Sequence, residues 1–106
     1  MSFTGSEGGF ISLNDGADLT ATYRTEFPNG VKGHFFGKDK LQDLLDQTGA
    51  MGIRFYQGMD TTGAFKLVAV AADSSTDDIL DAMNPLILDQ AVECPSTCGA
   101  NNDLNS

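Results

Sequence analysis

Two strand patterns joined by a short polar loop constrain the fold of this chain more than any other feature. In residues 51–57, MGIRFYQ, the side chains of Met51, Ile53 and Phe55 alternate with more polar ones, as in a strand with one buried face. The loop GMDTTG has the length of a hairpin connection. It leads into AFKLVAVAA at residues 64–72, whose apolar end is typical of a central strand buried on both faces. The sequence therefore predicts an antiparallel β-hairpin.

Two helices are predicted before this hairpin. Ser12 is a suitable N-cap for the first, because an acidic residue follows three positions later, and Pro28 ends it. Residues 31–36 are short and extended in character, and a glycine ends this run. Asp39 is placed to cap the second helix, whose apolar stripe consists of Leu41, Leu44 and Leu45.

The pattern is weaker after Asp73. Residues 75–83 have N-cap residues, acidic residues in the first turn and apolar residues for burial, which predicts a third helix. Residues 86–92 fit an edge strand. Together these elements predict an α+β fold, with two or three helices packed on a small, mainly antiparallel sheet. We expect a flexible lead-in at 1–9, a single domain at 10–93, and a cysteine-containing tail at 94–106.

The charge is acidic overall and unevenly distributed. The net charge is −9; residues 1–23 carry three acids and no base, residues 24–66 carry all six bases against five acids, and residues 67–106 carry seven acids and no base. Phosphate contacts require clustered bases, so we expect neither nucleic acid nor an anionic membrane surface as a partner. A basic centre between acidic ends is compatible with head-to-tail contact between copies, and it is equally compatible with a role in solubility alone.

The longest apolar run, LVAVAA, is far shorter than a membrane span, so we expect no membrane insertion. The first ten residues have neither a basic nor an apolar region of the kind found in secretory signals. We therefore predict the cytoplasm by default, and export by a route without a signal peptide stays open.

The stretch KGHFFGKDKL at residues 32–41 holds the only histidine and three of the four lysines. Gly37 and Lys38 precede a predicted helix, but a phosphate-binding loop needs Ser or Thr where Asp39 stands. The helix start could hold a small anion beside Lys38, although a strand, a glycine break and a helix start explain the pattern more simply. His34 has no nucleophile motif around it and is expected to be a packed, hydrogen-bonded histidine.

Cys94 and Cys98 in CPSTCG are the only cysteines. Structural zinc sites usually have four Cys or His ligands, which this chain could supply only by adding carboxylates or by sharing a four-cysteine site between two copies. A disulfide between Cys94 and Cys98 is compatible with their spacing but is disfavoured in a reducing cytoplasm. We expect free thiols and predict no metal and no cofactor.

Several stretches carry a resemblance to a known family: HFFGK, GAMGIRFYQG, LVAVAAD and CPSTCG. Over roughly residues 10–100 the chain resembles a family of short bacterial proteins found mainly in the Bacteroidota. No activity is established for that family, so the resemblance implies no catalytic residue. Its members often have a cysteine at the position of Ala50, so a three-cysteine site would be incomplete here. This argues further against a metal at Cys94 and Cys98.

Two functions from different classes are compatible with these observations. The first is a non-enzymatic structural or interaction protein whose partner is itself, as a homo-oligomer or a filament. The alternative is a module that binds a small anion or performs catalysis around His34, Lys38 and Arg54. That alternative requires the three side chains to converge, which in turn requires the strand of His34 to lie beside the strand of Arg54.

Overall fold

The computed structural model of the protein describes residues 1–81 and 83–106. These residues form two helices and four strands: α1 (Leu13–Glu26), β1 (Gly33–Phe35), α2 (Lys38–Leu45), β2 (Gly52–Met59), β3 (Phe65–Ala72) and β4 (Val92–Cys94). Strand β2 pairs with β3, and β1 pairs with β4, in two separate antiparallel sheets. The predicted α+β class is confirmed.

The predicted hairpin is also confirmed. Strands β2 and β3 pair in a continuous register from Gly52 opposite Ala72 to Met59 opposite Phe65. The loop closes through a hydrogen bond of 3.0 Å from the amide of Asp60 to the carbonyl oxygen of Ala64. Both strands are contiguous in sequence and need only this short loop, so local patterning was sufficient to predict them.

The core lies where α2 covers the hairpin. Leu44 of α2 packs against Ala69 and Ala71 of β3, with Ile53 of β2 beside them. All four residues at the end of β3, Ala69–Ala72, are buried, as predicted for a strand covered on both faces. Because three of these four are alanines, the core is shallow.

The segment after β3 differs from the prediction. The predicted helix at 75–83 is absent from the described residues, and Ala82 lies outside them. The carboxylate of Asp73 accepts hydrogen bonds from the amides of Ser75 and Asp77, which forms a turn where the helix would begin. The amide of Ile79 then donates to the carbonyl of Ala71, so the chain runs along the free edge of β3.

The predicted edge strand at 86–92 is only partly present. Leu88 exchanges two backbone hydrogen bonds with Ala69, at 2.8 and 2.9 Å, and forms an isolated bridge to β3. Regular strand structure begins at Val92 and pairs with β1. Strand β4 therefore ends inside the segment that we assigned to the tail.

Helix α1 begins as predicted. The Oγ atom of Ser12 accepts a hydrogen bond of 3.1 Å from the amide of Asp15, and the helix ends at Glu26, just before Pro28. Helix α2 begins differently, because Gly37 occupies the N-cap position and Asp39 lies in the first turn. An acidic residue in the first turn still interacts favourably with the helix dipole.

Both ends of the chain contact the domain. The amide of Phe3 donates to the carbonyl of Ser74, within the segment that we expected to be a flexible lead-in. At the other end, Arg24 and Lys32 donate to the carbonyl oxygens of Leu104 and Asn105, at 2.7 and 2.9 Å. Among the described residues, neither helix is long and apolar enough to cross a membrane.

Candidate functional site

His34 lies where the two sheets meet. Strand pairing places it opposite Glu93, and its Nε2 atom lies 3.1 Å from the carbonyl oxygen of Phe65 at the start of β3. A carbonyl oxygen only accepts, so Nε2 carries the proton and donates it to this bond. With its side chain 10% exposed, His34 has the packed, hydrogen-bonded role that we expected.

Lys66 extends this contact into an ionic cluster. The Nζ atom of Lys66 donates a hydrogen bond of 3.0 Å to Glu93 Oε2 and lies 3.7 Å from Asp60 Oδ2. The same Glu93 oxygen lies 3.7 Å from His34 Nε2. The hydrogen bond to Glu93 is the largest cause of a raised pKa at Lys66. The cluster borders a cleft of about 370 Å³. Its charged groups face one another across the junction, which suits it to holding the two sheets together.

Arg54 lies in a second polar cluster, on the opposite face of the hairpin from Leu44. Its Nη1 atom donates to Asp78 Oδ1 and its Nη2 atom donates to the carbonyl oxygen of Thr76 at 3.1 Å. Tyr56 donates its hydroxyl proton to Asp78 Oδ2 at 2.5 Å. Bonding to Asp78 is the largest cause of the raised pKa of Arg54 and of the raised pKa of Tyr56.

The N-terminal residues close over Arg54. The guanidinium carbon of Arg54 lies 5.4 Å from the centre of the Phe3 ring, a cation–π distance. Beside it lies a cleft of about 300 Å³ lined by Phe3, Glu7 and Met51. Arg54 therefore links β2 to the turn after β3 through its hydrogen bonds to Asp78 and Thr76. It links β2 to the N-terminal residues through its cation–π contact with Phe3.

The three residues of the ligand-binding hypothesis do not converge. Strand β1, which carries His34, pairs with β4 and not with β2. His34 meets β3 at Phe65, whereas Arg54 lies opposite Val70, so their contact points are about 16 Å apart along the strand. Lys38 is exposed at the first position of α2.

Cys94 and Cys98 form a disulfide at the end of β4. The expectation of free thiols is therefore wrong, and a four-cysteine zinc site shared between two copies is incompatible with this state because both sulfurs are already bonded. In residues 1–81 and 83–106, no group of three or more His, Cys, Asp or Glu side chains is arranged to hold a metal ion.

Sequence reasoning missed an apolar groove between the end of α1 and the hairpin loop. The groove has a volume of about 550 Å³ and is lined by Phe27, Val31, Met59 and Phe65, with small loop residues between them. The PNG turn and the hairpin loop were each visible in the sequence. Their meeting depends on tertiary packing, and no local pattern indicated it.

Comparison of the chain with known protein families, with curated protein sequences and with solved structures gives no match. The resemblance to the Bacteroidota family therefore stays a hypothesis that rests on the HFFGK and MGIR motifs. The function has to be argued from the geometry of this chain alone.

Proposed function

We propose that the protein is a non-enzymatic structural or interaction protein that assembles with itself into a homo-oligomer or filament. Accessible surface area is the observation that carries this proposal. The chain exposes 7662 Å², whereas a compact monomer of this mass exposes about 5,700 Å². The excess of about 2,000 Å² exceeds the roughly 800 Å² that each partner buries in a standard protein interface.

The dimensions of the chain agree with this excess. The radius of gyration is 15.5 Å, compared with about 13 Å for a compact domain of this length. Five apolar side chains are buried among the described residues, and none of the seven phenylalanines is fully buried. A chain with this many exposed aromatic rings can bury them against other copies of itself.

Seven of the 17 exposed large apolar side chains among the described residues lie in two stretches of the sequence. One group lies just before and within the first turn of α1, and a second follows the turn after β3; the members are Phe10, Ile11, Leu13, Leu80, Met83, Leu86 and Ile87. Clustered exposure is typical of interaction surfaces, whereas isolated exposed apolar residues are ordinary.

The alternative, a small-anion or catalytic module, has less support. It requires His34, Lys38 and Arg54 to line one cavity. His34 lies where the two sheets meet, Lys38 lies at the start of α2, and Arg54 lies against the ring of Phe3. His34 and Arg54 already have partners within the chain. Self-assembly is therefore the function that the geometry supports best.

Size-exclusion chromatography with light scattering, followed by negative-stain imaging, tests the proposal. We expect particles heavier than the 11.2 kDa chain. We also expect them to persist in reductant, since the disulfide joins two cysteines of the same chain. A monomer at every accessible concentration would refute self-assembly. Particles that dissolve on reduction would refute assembly through apolar surfaces.

A further inference from the structure

The C-terminal residues form a strap on α1. Residues 99–106, which we call the C-terminal strap, follow Cys98 directly. The carbonyl oxygen of Leu104 accepts a hydrogen bond of 2.7 Å from Arg24 Nη1. The Leu104 side chain lies over Gly16, where an added Cβ atom would be 3.5 Å from Leu104 Cδ2. Leu104 therefore contacts α1 at two places along the helix.

Helix α1 has little contact with the core, so the strap matters to its attachment. None of residues 13–26 is buried. One attachment of the helix is an aromatic cluster, in which the centre of the Tyr23 ring lies 5.2 Å from that of Phe27 and 6.5 Å from that of Phe65. The C-terminal strap is another, and its position therefore bears on how α1 is held.

Lys32 binds the chain on both sides of the disulfide. Its backbone amide donates a hydrogen bond of 2.6 Å to the carbonyl oxygen of Cys94, at the end of β4. Its Nζ atom donates a hydrogen bond of 2.9 Å to the carbonyl oxygen of Asn105, within the strap. The chain thus leaves Lys32 at Cys94 and returns to the same residue at Asn105. The loop that Cys94 and Cys98 close lies between these two points.

The disulfide determines where the strap begins. It joins residues whose Cα atoms lie 4.7 Å apart, whereas four residues of extended chain could span about 13 Å. A hydrogen bond of 3.0 Å from the Thr97 amide to the Glu93 carbonyl oxygen also closes this loop. The crosslink keeps the start of the strap beside β4, so fewer residues have to be ordered when the strap docks on α1.

We infer that the Cys94–Cys98 disulfide is a redox-sensitive switch whose reduction releases the C-terminal strap from α1. Cys98 is exposed and Cys94 is half-buried, so the sulfur of Cys98 is the accessible point of attack. A thiolate of a dithiol reductant bonds to Cys98 Sγ, the disulfide breaks, and Cys94 leaves as a thiolate that takes up a proton. The second thiol of the reductant then displaces Cys98. The protein gains two thiols, and the reductant becomes a disulfide.

Reduction should shift the docking equilibrium of the strap by a measurable factor. Once the crosslink is broken, docking must also order residues 94–98. The loop-closure entropy of a crosslink between residues separated by four positions corresponds to roughly 30-fold in that equilibrium. Release also takes the carbonyl partners away from Arg24 and from Lys32 Nζ, which leaves two cationic groups open beside α1.

Digestion by a serine carboxypeptidase tests the switch, because this enzyme cleaves only a C-terminus that has left its docked position. Mass spectrometry follows the loss of residues 104–106, and a thiol reagent establishes that the oxidised protein has no free thiol. We expect these residues to be removed roughly 30-fold faster after reduction with dithiothreitol than before it. Equal rates in the two states, or free thiols in protein prepared without reductant, would overturn the switch.

Two variants separate the disulfide from the reductant and from the docking contact. The double variant Cys94→Ser/Cys98→Ser should be digested at the reduced rate with or without dithiothreitol, and resistance like that of oxidised wild type would overturn the switch. Arg24→Met keeps the disulfide but removes the donor to Leu104, so it should speed digestion of the oxidised protein. Digestion of oxidised Arg24→Met at the wild-type rate would show that the strap is not held on α1 and would overturn the switch as well.

Hydrogen exchange of the β2–β3 amides, measured on every sample, distinguishes local release from unfolding. The hairpin contains neither cysteine, so its exchange should be the same before and after reduction. Exchange that accelerates as much as the digestion does would mean that reduction unfolds the domain, contrary to a local switch. These measurements report on a single chain. A monomeric wild type would refute self-assembly and leave this inference standing, whereas an assembled protein with equal digestion rates would do the reverse.

Discussion

Asp60 begins the hairpin loop and organises it with one oxygen atom. Its Oδ1 accepts hydrogen bonds from the Thr62 hydroxyl at 2.6 Å, the Thr62 amide at 2.9 Å and the Ala64 amide at 3.0 Å. These donors, the Thr62 hydroxyl first, hold the pKa of Asp60 below its ordinary value of 3.8. Because the pKa of Asp60 is lower in the folded protein, its carboxylate stabilises the fold at pH values above 3.8. This contribution is lost as the pH falls from 3.8 through the lowered pKa of the folded state.

Asp60→Asn should therefore flatten the acid side of the stability profile. Asparagine keeps an acceptor oxygen for the loop donors but does not titrate, so the variant should lose less free energy of unfolding than wild type as the pH falls below about 4. Chemical denaturation at a series of pH values measures this. Thr62→Val is the matched control: it keeps the carboxylate and should raise the pKa of Asp60 towards 3.8. Identical acid profiles for Asp60→Asn and wild type would contradict this role.

At the scale of elements, α2 is attached to the hairpin mainly through one side chain. Leu44 is 2% exposed and contacts the alanine face of β3, whereas its neighbour Leu45 is 42% exposed. The alanines leave a shallow surface, and Leu44 fills it. Two adjacent leucines on one helix therefore have very different environments, although the sequence placed both in one apolar stripe.

Leu44→Ala should destabilise the protein by about 2–5 kcal/mol, because it removes buried apolar area and leaves a cavity against β3. Leu45→Ala changes helix propensity identically and should cost less than about 1 kcal/mol. Urea unfolding of both variants at low protein concentration, where copies are separated, measures the difference. Equal losses would mean that α2 does not pack on the hairpin through Leu44.

At the scale of the whole molecule, two properties oppose each other. The exposed area favours association, while a net charge of −9 on each copy repels neighbours. The cluster of His34, Lys66 and Glu93 joins the two sheets, and Arg54 joins the N-terminal residues to the hairpin. Arg24 and Lys32 hold the C-terminal residues. Polar contacts therefore supplement the small apolar core, and we propose that the exposed apolar side chains contact other copies.

Added salt should therefore strengthen self-association. Raising the ionic strength from about 0.01 M to about 0.15 M shortens the Debye length from about 30 Å to about 8 Å, which screens the repulsion between acidic copies. Sedimentation velocity across this range should show a rising association constant. A falling constant would indicate an interface dominated by ion pairs, contrary to an apolar contact.

Local patterns were enough where structure depends on neighbours in sequence. The Ser12 cap, the end of α1 before Pro28 and the hairpin all form within a few residues of their signals, and all were predicted. The helix predicted after Asp73 does not form, because the amides of Ser75 and Thr76 donate hydrogen bonds to Asp73 in a turn. The amide of Ile79 donates to the carbonyl oxygen of Ala71 on β3. Helix propensity is a weak preference, and hydrogen bonding to the edge of β3 is more favourable here.

The sequence alone determined the α+β class, the hairpin, the acidic surface and the lack of a recognisable catalytic motif, because each follows from composition or short-range periodicity. Tertiary structure decided that β1 pairs with β4, that His34 and Arg54 stay apart, and that Phe27 meets Met59 and Phe65 to form the groove. Those pairings join residues distant along the chain. Their energy depends on which surfaces meet, and that is specified by the packing of the whole chain rather than by any one segment.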